Sequence, residues 1–334
     1  MSDAELIILG IETSCDETAA ACVRGGTDVL SSVVSSQVDL HARFGGVVPE
    51  IASRRHLELL GPTVATALTE AGISDDQLTR VAVTSGPGLI GALLVGVSYA
   101  KGYAYARRLP LVAVDHLHGH VASLQLSDTP PDGAHLVLLA SGGHTLLIDV
   151  DDTGSLTTIA RSMDDAAGEA FDKGARLLGL GYPGGPALGY LAGASDPQAR
   201  AFTTPLQGRD DLAFSFSGLK TALSLAVQRL DSDDHAARSE LAAAYQEAIV
   251  EHLLDRASLG LASTGRTTLG LVGGVAANVR LREKLGTLPA TVTMAPLSAC
   301  GDNAAMIAMA SRSLPPLSVA EMESLDAHAR SPLG

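Results

Sequence analysis

Asp115-His116-Leu117-His118-Gly119-His120 places three imidazoles within five residues, directly after the apolar run Leu111–Val114. A helix starting near Asp115 sets His116 and His120 one turn apart on the same face, which is the spacing of a metal-binding pair. The plainer alternative is a set of surface histidines at a strand end. A third ligand has to come from elsewhere, and Asp302 in Ala299-Cys300-Gly301-Asp302-Asn303 is the candidate. Its competing role is the N-cap of the last helix. Two histidines and a carboxylate with open positions suit a divalent ion, Fe2+ or Zn2+.

Two glycine turns could hold phosphate. Ser141-Gly142-Gly143 lies between apolar runs and offers backbone N–H groups that no side chain covers, an anion nest. Val272-Gly273-Gly274 precedes a helix expected from Ala276, so a helix dipole stands behind it. A single Gly pair is more simply a tight turn; several, each ending an apolar strand, favour a nucleotide site. Neither turn is a Walker A loop or a G-x-G-x-x-G with a following acid, so P-loop and dinucleotide assignments fail. A third feature is Asp164-Asp165-Ala166-Ala167-Gly168-Glu169-Ala170-Phe171-Asp172-Lys173. On a helix, Asp165, Glu169 and Asp172 share one face, an unfavourable grouping without a counter-charge or ligand. It is either a solvated face or a face on which Asp172 meets ribose hydroxyls.

These residues need a scaffold. Leu6–Gly10 and Ala19–Val23 flank a polar turn, and His135–Ala140 and Leu146–Val150 repeat that shape, so a β-hairpin opens each half. The repeat predicts a duplicated α/β architecture. Helices are expected at Pro49 to Gly72 with a break at Pro62, Gly91 to Arg108, Asp164–Leu180, Ser217–Leu230, Ser239–Leu259, Ala276–Leu285 and Asp302–Ser313, with a peripheral tail after Pro315. The uncharged stretch between Arg80 and Lys101 is long enough to span a bilayer, but Ser85-Gly86-Pro87-Gly88 divides it into strand, loop and helix. At 334 residues the chain suggests two lobes. Its three cysteines are an odd number, which argues against a disulfide framework and for a reducing, cytoplasmic setting with no membrane. The net charge of −14 repels polyanions in bulk. Nucleic acid would therefore need a basic partner or local patches, for which Arg43, Arg54 and Arg55 and the group Arg280, Arg282 and Lys284 are available.

Blocks along the whole chain resemble the tRNA N6-adenosine threonylcarbamoyltransferases: GIETSCDET (Gly10–Thr18), FGGVVPEIASRRH (Phe44–His56), SGPGLIG (Ser85–Gly91), His116–His120, ASGGHT (Ala140–Thr145), DDAAGEAFDK (Asp164–Lys173), YPGGP (Tyr182–Pro186), FSFSGLK (Phe214–Lys220), VGGVAANVRLR (Val272–Arg282) and Cys300–Asn303. The resemblance implies an α/β, two-lobed actin/sugar-kinase/Hsp70-like fold with the ligand in an interlobe cleft. Residues 1–130 plus 303–334 would form one lobe, with partner-binding helices at 50–72 and 91–108, and residues 131–302 the other. It implies His116, His120 and Asp302 as metal ligands and catalytic residues. It further implies Leu139, Ala140, Ser141, Gly142 and Gly143, with Asp172, Gly185 and Asn278, as the adenylate site. The implied reaction moves the threonylcarbamoyl group from L-threonylcarbamoyl-AMP to the adenosine just 3′ of the anticodon in tRNAs reading codons that begin with A. The implied partners are a related, catalytically silent subunit (TsaB-like) and a small ATPase (TsaE-like). Ala140 and His118 depart from residues common in bacterial relatives, and neither touches the implied metal pair.

Two other functions compete. A zinc endopeptidase of the H-E-x-x-H or H-x-x-E-H type carries a carboxylate between its histidines; here Leu117, His118 and Gly119 intervene and none is acidic. A kinase-like ATP-binding protein would use the same glycine turns but would not need the histidine pair.

Overall fold

The runs on either side of the first polar turn pair antiparallel as β1 (Ile7–Glu12) and β2 (Glu17–Arg24), with Leu9 opposite Cys22. This computed structural model describes residues 6–230 and 234–333. β3 (Asp28–Ser36) joins β2 antiparallel, while β4 (Arg80–Gly86) and β5 (Leu111–Asp115) extend the sheet from β1 in parallel. Strand order is β3-β2-β1-β4-β5. Alternation sends Leu9, Ile11, Cys22, Val81 and Val83 to one face, beneath the helices Pro49–Ala71 and Ile90–Arg107. It sends Ile8, Ala21, Val23, Ala82 and Val112 to the other, against the helix Ala304–Ala310. Both faces are covered, which is why these strands read as continuous apolar runs. Gly10 permits the last packing, because a Cβ there would stand 2.2 Å from the Ala304 carbonyl oxygen.

The second unit repeats the pattern. β6 (His135–Ala140), β7 (Thr145–Val150) and β8 (Leu156–Arg161) form an antiparallel meander. β9 (Thr268–Val272) and β10 (Thr291–Met294) then add in parallel beside β6. The order β10-β9-β6-β7-β8, read from β8, repeats that of the first sheet, so the duplication expected from the two hairpins is present in the topology. The units are Met1–Asp128 with Gly301–Pro332, and Thr129–Cys300 with Leu333–Gly334.

Several local expectations change. The helix Pro49–Ala71 runs through Pro62 without ending. Glu58, whose carbonyl loses its partner there, is solvent-exposed, and Leu60, Val64 and Ala67 hold the helix to the core. The helix expected from Asp164 begins at Ala167, because the Asp164 carboxylate is taken by Phe216 N–H at 2.7 Å and by the hydroxyls of Ser215 and Ser217. The stretch expected as Ser239–Leu259 is the longer helix His235–Thr264. The tail is docked rather than peripheral: Leu317, Met322 and Leu325 pack on the first core, and Lys101 Nζ donates to the carbonyls of Glu323 and Leu325. The long uncharged stretch divides into β4 and the helix Ile90–Arg107, and among the described residues no helix is long and apolar enough to cross a membrane. The apolar stripes of the two large helices mostly serve the core, leaving Leu57, Ile90, Leu94 and Tyr105 exposed.

Candidate functional site

The metal-ligand spacing in the sequence becomes a site through two helix caps. Asp115 closes β5, and its carboxylate accepts Leu117 N–H at 2.8 Å and His118 N–H at 3.4 Å, starting the helix His116–Ala122 at the expected place. At the other end of the chain, Asn303 caps the helix Ala304–Ala310 by accepting Met306 N–H at 3.0 Å. The cap role considered for Asp302 thus falls to its neighbour, and Asp302 is released toward the histidines. Its Oδ1 lies 3.4 Å from His116 Nε2 and 3.3 Å from His120 Nε2, and one donor atom from each of the three residues falls within 4.8 Å of the others. His120 is fully buried, and among the described residues no well-formed hydrogen bond reaches either ring nitrogen, Nε2 having only the Asp302 carboxylate 3.3 Å away. A buried imidazole left in that condition costs free energy; a divalent cation on Nε2 would remove much of the cost. The donor set and the poorly satisfied nitrogen both fit a metal ion.

A residue that sequence reasoning passed over completes the cluster. Glu12, fully buried at the end of β1, accepts the Ser14 N–H and, at 2.6 Å, the Thr84 hydroxyl. Its Oε2 lies 3.0 Å from His116 Nδ1. A carboxylate there keeps the proton on Nδ1 and turns Nε2 toward the metal position. The available signal was an acid ending the otherwise apolar strand Ile7–Glu12. Next to it, buried His56 ties the polar turn down, bonding the Thr18 hydroxyl at 2.7 Å and the Cys15 carbonyl at 3.0 Å.

Electrostatics follow from this packing. Burial disfavours a charged His116, but the carboxylates of Asp302 and Glu12 outweigh it and hold its pKa well above the usual histidine range. Burial leaves His120 below that range. Asp302 is only partly buried, and although desolvation works against its charged form, His116 and His120 hold its carboxyl well below the usual range. Burial, with Asp16 beside it, pushes the Cys15 thiol far up, so it is a poor nucleophile. A cation must therefore displace a proton from His116. Metal affinity should fall as pH is lowered, by about tenfold per unit while His116 is protonated. Calorimetry in buffers of different ionisation enthalpy should show about one proton released per ion bound.

In the second unit a cavity of about 720 Å³ is lined by Gly142, Asp172, Gly185 and Asn278, four of the eight residues implied for the adenylate. Leu139, Ala140, Ser141 and Gly143 do not line it. Leu139 and Ala140 are fully buried in β6, while Gly143 is exposed in the β6–β7 turn. Gly273, at φ +93°, has no room for a side chain, since a Cβ would meet the Ala140 carbonyl oxygen at 2.4 Å. The helix after it begins at Val279, not Ala276, and Asn278 is its cap. The three-carboxylate argument for Asp172 does not hold: Asp165 precedes the helix, and Lys173 lies 2.5 Å from Asp165 and 3.4 Å from Glu169. Asp172 instead accepts Gly184 N–H at 2.9 Å and Gly185 N–H at 3.2 Å, closing the start of the helix Gly184–Ala192 at the cavity wall.

The expected basic patches are largely neutralised. Arg280 pairs with Glu247 and Glu283, Lys284 with Glu247 and Glu251, and Arg55 with Glu58. Arg282 is spent on the carbonyls of Ala276 and Ala295.

The family model described as TsaD, tRNA N6-adenosine threonylcarbamoyltransferase, matches residues 28–309. A relative of that name from Desulforapulum autotrophicum is 50% identical over 307 residues, covering 91% of this chain and 92% of the relative. Another from Bordetella petrii is 48% identical over 312 residues, covering 91% and 90%. Among solved structures, HypF of T. kodakarensis matches with a TM-score of 0.61 at 13% identity, over 91% of this chain and 46% of that one. Component A of the Acidaminococcus fermentans (R)-2-hydroxyglutaryl-CoA dehydratase matches with 0.56 at 14%, over 91% and 96%. At such identities the structural likeness concerns the fold alone.

Proposed function

The chain belongs to the tRNA N6-adenosine threonylcarbamoyltransferase family, and we propose that its metal triad and its second-unit cavity are the working parts of that transfer. The reaction moves the threonylcarbamoyl group of L-threonylcarbamoyl-AMP to the exocyclic amine of the adenosine 3′ of the anticodon. The N6 nitrogen bonds to the carbamoyl carbon, the carbon–oxygen bond to phosphate breaks, AMP leaves with the electron pair, and the amine loses a proton. The mixed anhydride is already activated, so the protein has to orient and stabilise rather than supply a nucleophile. The raised Cys15 thiol fits that division of labour.

His116, His120 and Asp302 would hold one divalent ion, Fe2+ ahead of Zn2+. When bound, such an ion supplies Lewis acidity and a template for the reacting groups. Glu12 fixes the His116 tautomer. The backbone N–H groups at Gly142 and Gly143 would take phosphate, and Asp172, Gly185 and Asn278 would contact the rest of the adenylate. The observation that carries the reading is the cluster of buried His116 and His120 with Asp302, whose donor atoms lie within 4.8 Å of one another. A peptidase is disfavoured because no carboxylate stands between the histidines.

With acidic surface dominating and most candidate cations paired, tRNA affinity would come from a cytoplasmic assembly with a TsaB-like subunit and a TsaE-like ATPase. The exposed Leu57, Ile90, Leu94 and Tyr105 would be the contact points. Mass spectrometry of tRNA nucleosides after incubation with threonylcarbamoyl-AMP should show weak modification by the isolated chain and strong modification with both partners. Absence of the modified nucleoside in every combination would refute the reading. In the same assay, Asp172→Ala should raise the KM for the donor about tenfold, through lost charge-assisted hydrogen bonds, while leaving tRNA affinity unchanged. An unmoved donor KM would leave Asp172 only its cap role.

A further inference from the structure

We propose that Gln246 reads the base of the bound nucleotide by presenting an amide N–H donor to it; this rests on assigning the second-unit cavity to the adenylate. The polarity of the site is fixed by a chain of hydrogen bonds that starts at a group able only to donate. Leu281 N–H donates to Asn278 Oδ1 at 3.0 Å, so the other end of that amide, Nδ2, faces Gln246. An amide nitrogen can only donate, so Gln246 must answer with Oε1, which accepts at 2.8 Å. The Gln246 Nε2 is what remains, and no hydrogen bond engages it among the described residues. Gln246 is 8% exposed, and it lines the cavity. Asn278 thus spends its carbonyl on the cap and an N–H on the glutamine, and it acts as the positioning residue for the group that meets the ligand.

The surroundings specify a flat heteroaromatic ring. Phe171, Pro183, Pro186, Tyr190 and Val279 line the same cavity, an apolar wall interrupted by Asp172, Gln246, Asn278, Arg280 and Glu283, the mix of apolar surface and placed polar groups that ring-binding sites use. Gly189 leaves this side of the amide pair uncovered: a Cβ there would lie in van der Waals contact with it, 3.5 Å from Gln246 Oε1 and 3.8 Å from Asn278 Nδ2. Adenine offers three ring nitrogens as acceptors. A donor fixed by a three-member relay favours a base edge with an acceptor and penalises one that presents N–H.

Gln246→Glu tests this selectively: one oxygen still accepts from Asn278, while the outward donor becomes an acceptor. Calorimetry with AMP should show affinity falling roughly tenfold or more, the loss of a hydrogen bond plus a repulsive contact. Of 1-deaza-, 3-deaza- and 7-deaza-AMP, one should lose a comparable factor on the wild-type chain and lose little further on the variant. AMP binding that is unmoved by Gln246→Glu would overturn the proposal while leaving the cavity assignment intact. So would equal wild-type affinity for all three deaza analogues, a comparison that does not depend on the variant folding. Failure of AMP to bind the wild-type chain at all would overturn the cavity assignment and the proposal together.

Discussion

His120→Ala should abolish stoichiometric metal binding and lower threonylcarbamoyl transfer by roughly 10³-fold, since Lewis-acid stabilisation is worth several kcal/mol and each 1.36 kcal/mol is a decade in rate. The replacement also removes a buried ring that lacks a well-formed hydrogen bond and has only the Asp302 carboxylate beside its Nε2. The metal-free fold should therefore lose little of the stability that a buried side chain of this size usually provides. Inductively coupled plasma mass spectrometry of the purified variant, with single-turnover transfer kinetics, gives both numbers. Full activity in a chain shown to be free of metal would remove the triad from the mechanism.

The second large effect is expected at Glu12, which is fully buried behind His116 and would act through it. Glu12→Ala should weaken metal binding by about 10–100-fold, the usual cost of losing the carboxylate behind a ligating histidine, and transfer at limiting metal should fall in proportion. It also strands the Ser14 N–H and Thr84 hydroxyl that the carboxylate now receives, so a lower melting temperature should accompany it. Glu12→Gln separates the two roles: its carbonyl can still accept from Thr84 or Ser14, whereas its uncharged amide cannot support the His116 Nδ1 proton as a carboxylate does. Saturating metal should restore transfer in Glu12→Gln. If excess metal rescues neither variant, Glu12 has a role beyond orienting His116.

The parts of this protein legible in its sequence are those set by short-range rules. Apolar runs on either side of short polar turns placed both hairpins, since strand pairing across a tight turn is local. The spacing of His116 and His120 put both imidazoles on one face of any helix beginning near Asp115, and the Asp115 cap starts the helix there. Glu12 escaped because a single acid in an apolar run carries no periodic signal; its meaning lies in Thr84 and His116, 72 and 104 residues away.

Asp302 shows the division most clearly. Its sequence neighbourhood allowed both cap and ligand, and only the packed helix, capped by Asn303, assigned it to the histidines. The same holds for charge. The −14 balance follows from composition alone. Whether Arg280 and Lys284 are available to a polyanion depends on Glu247, which a separate helix brings against both. Composition and periodicity determine which surfaces are apolar and which turns are tight, because those preferences act over a few residues. Which polar groups satisfy one another is decided only when distant segments pack and lose water, because an unpartnered polar atom becomes costly only after burial.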